Sequence, residues 1–564
     1  MLINIINNKT IILSQLTPDV EQTIKYHFSA KDPKAYYHRN THWDGWIRRY
    51  NPKTSELALP YLDELKKCCI QHNVPYEIND QRPSPRILPP NPNSITKNLL
   101  EGITLEDYQI DAIKACCTHE IGQIMACTGA GKTEIMCGII KAYHCDTVII
   151  TEQLVILNQI VDRLKLRNVV KDDDIGLFCQ GHQPEGNQVI VGSIQSLSTP
   201  SPPNEPTINN KITQKTLEKW LTTPEEHEQK LKTIFTANQI EKISQNNYKP
   251  TKFDLEVTKQ YIIETRKQIE HKTYQTRCQN SRKIQEQIAK TDLILIDESD
   301  QATTPQYAKL FKNVYNGRRR YGFSGTPFHN NEPIKNLTLR ENLGNIIYQI
   351  PRSHVQERNR IIPLKIWFTT VGDPRKRNDS RAYDIALKED IIDNQEFHQI
   401  TANLANKLPG KTLILIDTSP IGPLGLGLEK QINNSKFIYG QTNQKDRNKY
   451  IKSFEEGELK CLIGSKILER GFDLKNGVHN LIVIGGGAKW HKFDQRLGRA
   501  VRLNEQGHAK VFSFIHLTNK YLYKHSRERL KAAISLGYPV KVITGDKVIN
   551  GEELIKSKFK LIWN

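Results

Sequence analysis

Met125-Ala126-Cys127-Thr128-Gly129-Ala130-Gly131-Lys132-Thr133 is the stretch on which the reading of this 564-residue chain turns. Ahead of it lies the short apolar run Ile121 to Met125, and behind it Glu134 to Ile140 reads as a helix. A strand, a glycine-rich turn, Gly-Lys-Thr and a helix together make a phosphate-binding loop. Glycines let the backbone curl so that several N–H groups face one anion, and the helix N-terminus adds partial positive charge. Thr128, Gly129, Ala130 and Gly131 would form the cradle, Lys132 would reach the β/γ-phosphates of a nucleotide, and the Thr133 hydroxyl would ligate Mg2+. The general motif has a glycine where this chain has Ala126.

Composition sets the frame. Hydrophobic residues make up 37% of the chain and charged residues 25%, enough apolar content for full cores in the three or four domains its length suggests. The formal net charge of +19 favours polyanions, with nucleic acid first; basicity for solubility alone is the alternative. Ten cysteines include no C-x-x-C pair. Cys137, Cys145, Cys179 and Cys278 are spaced as buried thiols rather than as a zinc or iron–sulfur site, and a reducing, intracellular compartment follows as the default. With no signal-peptide pattern and no apolar run long enough to span a bilayer, the expectation is a cytoplasmic protein without a membrane partner.

Residues 1–80 read as a small α+β module: strands or a hairpin at Met1–Ile6 and Thr10–Leu13, a helix opening at Thr17-Pro18-Asp19, β-like runs near Trp46 and Leu57, a second helix from Tyr61 and a strand near Ile78. Its centre is expected to gather Tyr36, Tyr37, Trp43, Trp46 and Tyr50 among Arg39, Arg48 and Arg49. Aromatics interleaved with arginines suit stacking on bases and contact with phosphates; the competing reading makes both tryptophans core anchors. Residues 81–98, rich in Pro and Asn, read as a semi-rigid linker.

Beyond the linker, apolar β-branched runs alternate with helices: Ile121–Met125, Thr147–Ile150, Val189–Gly192 and Leu293–Ile296 in residues 99–340, then Thr412–Ile416, Phe437–Tyr439, Cys461–Ile463, Leu481–Ile484 and Lys510–Phe514 in residues 341–520. Such runs mean parallel sheets covered on both faces. Only the first of these two α/β domains carries a phosphate loop, so a nucleotide clamped between them is expected. Residues 521–564 form a C-terminal extension. Residues 205–290 interrupt the first sheet with a Lys-, Gln- and Glu-rich segment in which Leu255, Ile262 and Ile269 recur at sevens, read as a helical hairpin.

Asp297-Glu298-Ser299-Asp300 closes the apolar strand Leu293–Ile296. Asp297 would hold Mg2+ and Glu298 would orient and deprotonate an attacking water. Downstream lie Ser324-Gly325-Thr326-Pro327 and Gln495-Arg496-Leu497-Gly498-Arg499-Ala500-Val501-Arg502. Arg499 and Arg502, three apart on one helical face, could stabilise γ-phosphate charge in the transition state.

In that order, Tyr108-Gln109, ACTGAGKT, DESD, SGTP and QRLGRAVR resemble the motif set of the superfamily 2 helicases, with coverage from Leu105 to Arg502. Thr151 to Val155, Gly192 to Leu197, Leu413 to Thr418 and Gly464-Ser465 through Asp473 resemble the family's intermediate motifs. The family usually has alanine where Ala126 stands. The resemblance implies two RecA-like parallel-sheet domains in tandem, with a small α+β N-terminal domain and a helical insertion in the first. It implies ATP and Mg2+, with Tyr108 and Gln109 at the adenine. Lys132, Thr133, Asp297 and Glu298 would act at the phosphates, and Ser324 and Thr326 would couple hydrolysis to domain movement. Arg499 and Arg502 would reach in from the second domain, with Gly471 and Asp473 near the nucleotide. Thr151, Gln195 and Ser465 would lie along a nucleic-acid strand. The family often has Arg, His and Ala where this chain has Glu106, Asp300 and Gly325.

Trp43-Asp44-Gly45-Trp46-Ile47-Arg48 and the segment from Tyr521 to Arg529 are similar to parts of the phage UvsW-type helicases, which remodel forks, R-loops and Holliday junctions. This adds Trp43, Trp46 and Arg48 as duplex contacts and makes DNA the expected partner. The long insertion departs from that relative and would supply DNA contact, a protein-partner surface or a pin. The rival readings are an RNA helicase, a restriction-type motor subunit and a nucleic-acid-binding protein with a decayed ATPase.

Overall fold

A computed structural model describes residues 1–33, 35, 43–152, 154–178, 186–197, 221, 234–243, 249–328, 332–358, 360–465, 477–485 and 504–560. Two compact units are separable: Gln195–Lys290, and the remainder of the chain, Met1–Ile194 with Thr291–Asn564.

The larger unit begins with an antiparallel hairpin of β1 (Leu2–Ile5) and β2 (Thr10–Ser14). Both strands alternate buried and half-exposed positions, as a sheet covered on one face requires. The expected β-like runs near Trp46 and Leu57 exist but do not pair with each other as strands. β4 (Trp46–Arg48) pairs with β3 (Ser29–Lys31), while β5 (Glu56–Ala58) joins β2, and β6 (Glu77–Asp80) runs parallel to β1. Helix α1 (Pro18–His27) starts with Pro in its first turn and Asp19 and Glu21 behind it; Thr17 precedes it without a side-chain capping bond. With α2 (Leu62–Gln71) it covers the apolar face. The core is Ile3, Ile11, Leu13, Phe28, Tyr50 and Tyr61. Of the residues expected at this centre, Tyr50 is buried, Trp46 is half-buried, Trp43 is 40% exposed, and Tyr36, Tyr37 and Arg39 lie outside the described residues.

This module is bolted to the first large sheet through the helix Pro333–Leu343 and its surroundings. The Tyr61 hydroxyl donates to the Leu337 carbonyl at 2.5 Å, Arg49 reaches Thr338 Oγ1 at 2.7 Å and Glu341 Oε2 at 3.0 Å, and Arg320 donates to the Asn8 carbonyl at 3.0 Å. Asn345 Nδ2 donates to Glu64 Oε2 at 2.7 Å, and Glu64 Oε1 lies 3.1 Å from His27 Nε2. Hydrogen bonds that the His27 ring donates, to Cys68 first and Glu64 second, raise the imidazole from its ordinary 6.5 to about 9, against the effect of burial. The bond to His27 chiefly holds Glu64 down from 4.5 to about 2. The histidine's stabilising contribution is therefore whole below its unfolded value and is lost as pH rises through about 9; the glutamate's is whole above 4.5 and is lost as pH falls through about 2. Hydrogen exchange of the β1 and β2 amides, corrected for intrinsic rates, should show greatest protection between 4.5 and 6.5, and His27→Gln should remove the alkaline decline.

The first large sheet holds β7 (Ile121–Ala126), β8 (Thr147–Thr151), β9 (Ile175–Phe178), β10 (Val189–Ser193), β11 (Leu293–Asp297), β12 (Arg319–Ser324) and β13 (Ile346–Ile350). All are parallel, in the order β13-β7-β12-β11-β8-β10-β9. β8, β10 and β11 are buried at every residue, which is why they read as unbroken apolar runs. β13 pairs with β7, so this sheet continues to Ile350, past the residue 340 at which the sequence reading divides the two domains. Its half-exposed residues at the sheet edge give no apolar run to read.

The second sheet comprises β14 (Leu364–Val371), β15 (Thr412–Asp417), β16 (Ser435–Ile438), β17 (Cys461–Gly464), β18 (Asn480–Gly485), β19 (Ala509–His516), β20 (Val540–Thr544) and β21 (Lys547–Asn550), in the order β16-β17-β15-β18-β19-β14-β20-β21. Only the β20–β21 pair is antiparallel. The residues expected as a C-terminal extension thus complete this sheet, β20 pairing with β14. The two RecA-like sheets and the α+β module are the architecture expected from the sequence.

In the smaller unit, one helix runs from Lys252 to Lys290, 39 residues. Leu255 packs against a small core of Leu221, Phe235 and Ile243, and Ile262 is buried, but Ile269, the third member of the expected repeat, is 59% exposed. Leu217 and Trp220 lie outside the described residues.

Candidate functional site

The neighbouring strands β7, β12, β11 and β8 carry the motifs at their C-terminal ends, the edge where a parallel α/β sheet presents its ligand site. After β7 the chain turns through Cys127–Gly131 into helix α4 (Lys132–Tyr143). Gly129 (φ +88°) and Gly131 (φ +78°) adopt left-handed backbone that only glycine holds without strain. Each is also hemmed in: a Cβ on Gly129 would lie 2.3 Å from Ile361 Cγ2, and one on Gly131 would lie 2.3 Å from Gln109 Nε2.

Helix α3 (Asp107–Thr118) opens with a reciprocal cap between Glu106 and Gln109. The Glu106 amide donates to Gln109 Oε1 at 3.0 Å, and Gln109 Nε2 donates to the Ala130 carbonyl at 3.0 Å. The residue expected at the adenine is therefore fastened to the phosphate loop itself. Tyr108 beside it is buried, and burial pushes its hydroxyl up to about 12.

Lys132 Nζ lies 2.9 Å from Glu298 Oε1, joining the loop to the acidic motif across 166 residues of sequence. Burial disfavours the Lys132 charge, but Glu298 and Asp297 outweigh it and hold the ammonium above its ordinary value. Glu298 sits at φ +50°, a left-handed conformation uncommon outside glycine, directly after Asp297 ends β11. Asp297 Oδ1 is buried without a hydrogen-bond partner. Burial raises the Asp297 carboxyl, with Lys132 pulling the other way. A buried carboxylate oxygen left unpaired beside a lysine and a glycine-built loop is the donor set a nucleotide with its Mg2+ requires, so the residues fit that ligand. Ser324, at the end of β12, donates to Asp300 Oδ1 at 3.0 Å and accepts from the Thr326 amide at 3.2 Å, which links the DESD and SGTP stretches directly. Burial first, and the Glu298 charge second, raise Asp300.

Thr151 ends β8 and Ser465 follows β17, while Gln195 is exposed in the short helix Ile194–Leu197. In the N-terminal module Trp43 Nε1 donates to the Trp46 carbonyl at 3.1 Å, Trp46 meets Tyr26 edge-on at 6.1 Å, and Arg48 pairs with Asp44. Gly471, Asp473, Arg499 and Arg502 lie outside the described residues.

Two features carry only a faint sequence signal. The connection between the sheets runs over the phosphate loop, Ile361 against Gly129, with Arg360 Nη2 2.8 Å from Glu106 Oε1 and Arg358 Nη2 2.9 Å from Asp107 Oδ2. Glu134, in the first turn of α4, is buried and held by both arms of Arg167 at 3.0 and 3.2 Å and by Arg163 at 3.1 Å. Only the excess of arginine in 352–360 and the i,i+4 spacing of Arg163 and Arg167 on helix α5 (Leu154–Leu166) and its end hinted at either.

Residues 102–220 match the family described as type III restriction enzyme, res subunit, and residues 397–504 match the helicase conserved C-terminal domain. The chain carries a superfamily 2 helicase core. No curated protein matches the sequence. Among solved structures, helicase cores of several kinds are similar. UvsW of bacteriophage T4 is 14% identical with a TM-score of 0.40, covering 96% of this chain and 99% of that one. Dbp5 of S. cerevisiae, bound to RNA and ADP BeF3, is 12% identical with a TM-score of 0.46, covering 82% and 95%. Lhr of Mycobacterium smegmatis, bound to ssDNA and AMP-PNP, is 12% identical with a TM-score of 0.43, covering 76% and 47%. The helicase domains make the chain an ATP-hydrolysing helicase; these likenesses do not divide DNA from RNA. Among the described residues, no helix is long and apolar enough to cross a membrane.

Proposed function

We propose that this helicase is an ATP-driven DNA helicase or translocase that remodels branched DNA (forks, Holliday junctions, R-loops) in phage or viral replication, recombination or repair. The observation that carries the motor is the 2.9 Å contact between Lys132 and Glu298, with Asp297 beside it. Without substrate, Lys132 neutralises the base. When Lys132 turns to the β/γ-phosphates of ATP, Glu298 is released to take the proton of the attacking water. Thr133 and Asp297 would hold Mg2+, which supplies neutralisation of charge on the phosphate oxygens. Thr128 to Gly131 offer backbone N–H groups, and Tyr108 and Gln109 border the base. By the motifs they belong to, Arg499 and Arg502, with Gly471 and Asp473, would serve the nucleotide from the second domain. Thr151, Gln195 and Ser465 track the strand backbone.

The net charge of +19 supports a nucleic-acid partner, and support for DNA comes from the N-terminal module, where Trp43 stands exposed beside Trp46 and Arg48 and which resembles that of the UvsW-type enzymes. The test is one ATPase and unwinding panel over single strand, duplex, fork, four-way junction, R-loop and RNA duplex. Branched DNA is expected to stimulate hydrolysis most and to be unwound. Greater stimulation by RNA would overturn the DNA assignment, and no stimulation by any nucleic acid would overturn the motor.

A further inference from the structure

The helix Lys252–Lys290 is about 58 Å long at 1.5 Å per residue. Between Arg266 and Thr276 none of its residues is buried. From Arg266 to Thr276 the exposed residues are Arg266, Lys267, Gln268, Ile269, His271, Lys272, Thr273, Gln275 and Thr276, which together encircle the helix. A helix that is polar all round and stands in solvent needs another source of stability or a partner.

Its charge is unevenly placed. From residue 265 to 290 there are seven Lys and Arg against Glu270 and Glu286, whereas from 252 to 264 the acids Asp254, Glu256 and Glu264 outnumber Lys252 and Lys259. In the basic section, Lys272, Lys283 and Lys290 are spaced by eleven and seven residues, which returns each to nearly the same helical face. All three are exposed, and none makes an ion pair with a described residue. Gln268, Gln275 and Gln279, also exposed, lie along the same face and add hydrogen-bonding amides, and the exposed Glu286 lies on it between Lys283 and Lys290. The row spans about 27 Å along the axis. Among the described residues of this section Ile269 is the one large apolar side chain exposed, so a hydrophobic protein groove has little to grip there.

We infer that the Lys272–Lys283–Lys290 face of this helix binds the phosphate backbone of duplex DNA. Charge complementarity selects a polyanion. A helical row of fixed spacing about 27 Å long selects a stiff one, since it matches about eight base pairs of a duplex that stays straight over that distance. The inference rests on the reading of the chain as a nucleic-acid motor and gives the insertion a role that is separate from the ATP site.

The experiment measures binding of the full chain to a labelled 30-base-pair duplex, without nucleotide, between 50 and 200 mM salt. The variant Lys272→Gln/Lys283→Gln/Lys290→Gln is compared with Arg266→Gln/Lys267→Gln, which removes charge from other faces of the same helix. Loss of three phosphate contacts should make the salt slope less negative by about 2.7, so the affinity advantage of the native chain over the variant should shrink about 40-fold across that range. The control pair should leave the slope nearly unchanged. An unchanged slope in the triple variant, an equal effect per charge in the control, or equal loss on single-stranded DNA would each overturn the assignment of this face to duplex. All substituted side chains are exposed, and circular dichroism checks the helix. Failure of the motor reading is distinguishable: the native chain would then show no ATPase stimulation by any nucleic acid, whereas failure of this inference leaves stimulation intact and the slope unmoved.

Discussion

Glu298→Gln is expected to lower ATP turnover by roughly 10²–10⁴-fold while leaving ATP affinity near the native value. The amide oxygen of Gln can still accept from Lys132 as Glu298 Oε1 does at 2.9 Å, and the shape of the residue at φ +50° is kept. What is lost is the lone pair basic enough to take a proton from water. The substitution also removes one of the charges that raise Asp297 and Asp300, so both carboxyls become easier to ionise and the Ser324–Asp300 bond remains. Loss of turnover would therefore not be a secondary failure of that link. Single-turnover phosphate release together with fluorescent-nucleotide titration separates the two quantities. Turnover within a few-fold of native would remove Glu298 from its role as the base.

Arg167→Ala is expected to destabilise the phosphate-loop helix by about 3 kcal/mol, the lower end of what breaking a buried ion pair costs. Glu134 would keep only Arg163, which is 43% exposed and makes one contact at 3.1 Å, and the Glu101 carbonyl would lose the bond that Arg167 Nη1 makes at 3.1 Å. Because the chain has several domains, the local measurement is the better one: α4 amides should exchange roughly 10²-fold faster. The double variant Glu134→Leu/Arg167→Leu, which removes both charges, should lie closer to native than either single change. Equal additive losses would mean that Arg167 acts through packing alone.

The fold was legible in this sequence where burial is symmetrical. β8, β10 and β11 are covered on both faces, and each is built on a run of at least three Val, Ile or Leu. The strands that escaped reading carry a different constraint: β12 begins with Arg319 and Arg320, and β13 is an edge strand with half-exposed residues. β20 and β21 close the second sheet as a hairpin long after its parallel pattern has ended. At the candidate site, the loop, the two acids and the Ser324 stretch were legible because phosphate chemistry restricts both residue type and spacing. The direct contact of Lys132 with Glu298 and the attachments of Gln109 to Ala130 and of Arg360 to Glu106 do not follow from that reading, because a contact between residues distant in sequence leaves no periodic trace. Trp43 shows the limit from the other side. Composition left it between core anchor and surface contact, and only burial separates the two.

The segment that joins the two sheets is also a wall of the phosphate loop, with Ile361 on Gly129 and Arg360 on the cap that holds Gln109 to Ala130. This makes the connection a thermodynamic transducer. Any ligand that shifts the path of residues 360–361 changes the loop's affinity for phosphate by some factor, and phosphate must then change that ligand's affinity by the same factor. On the function proposed above, nucleic acid bound at the second sheet and nucleotide bound at the first would be coupled by reciprocity through a contact a few atoms wide, without requiring either to touch the other.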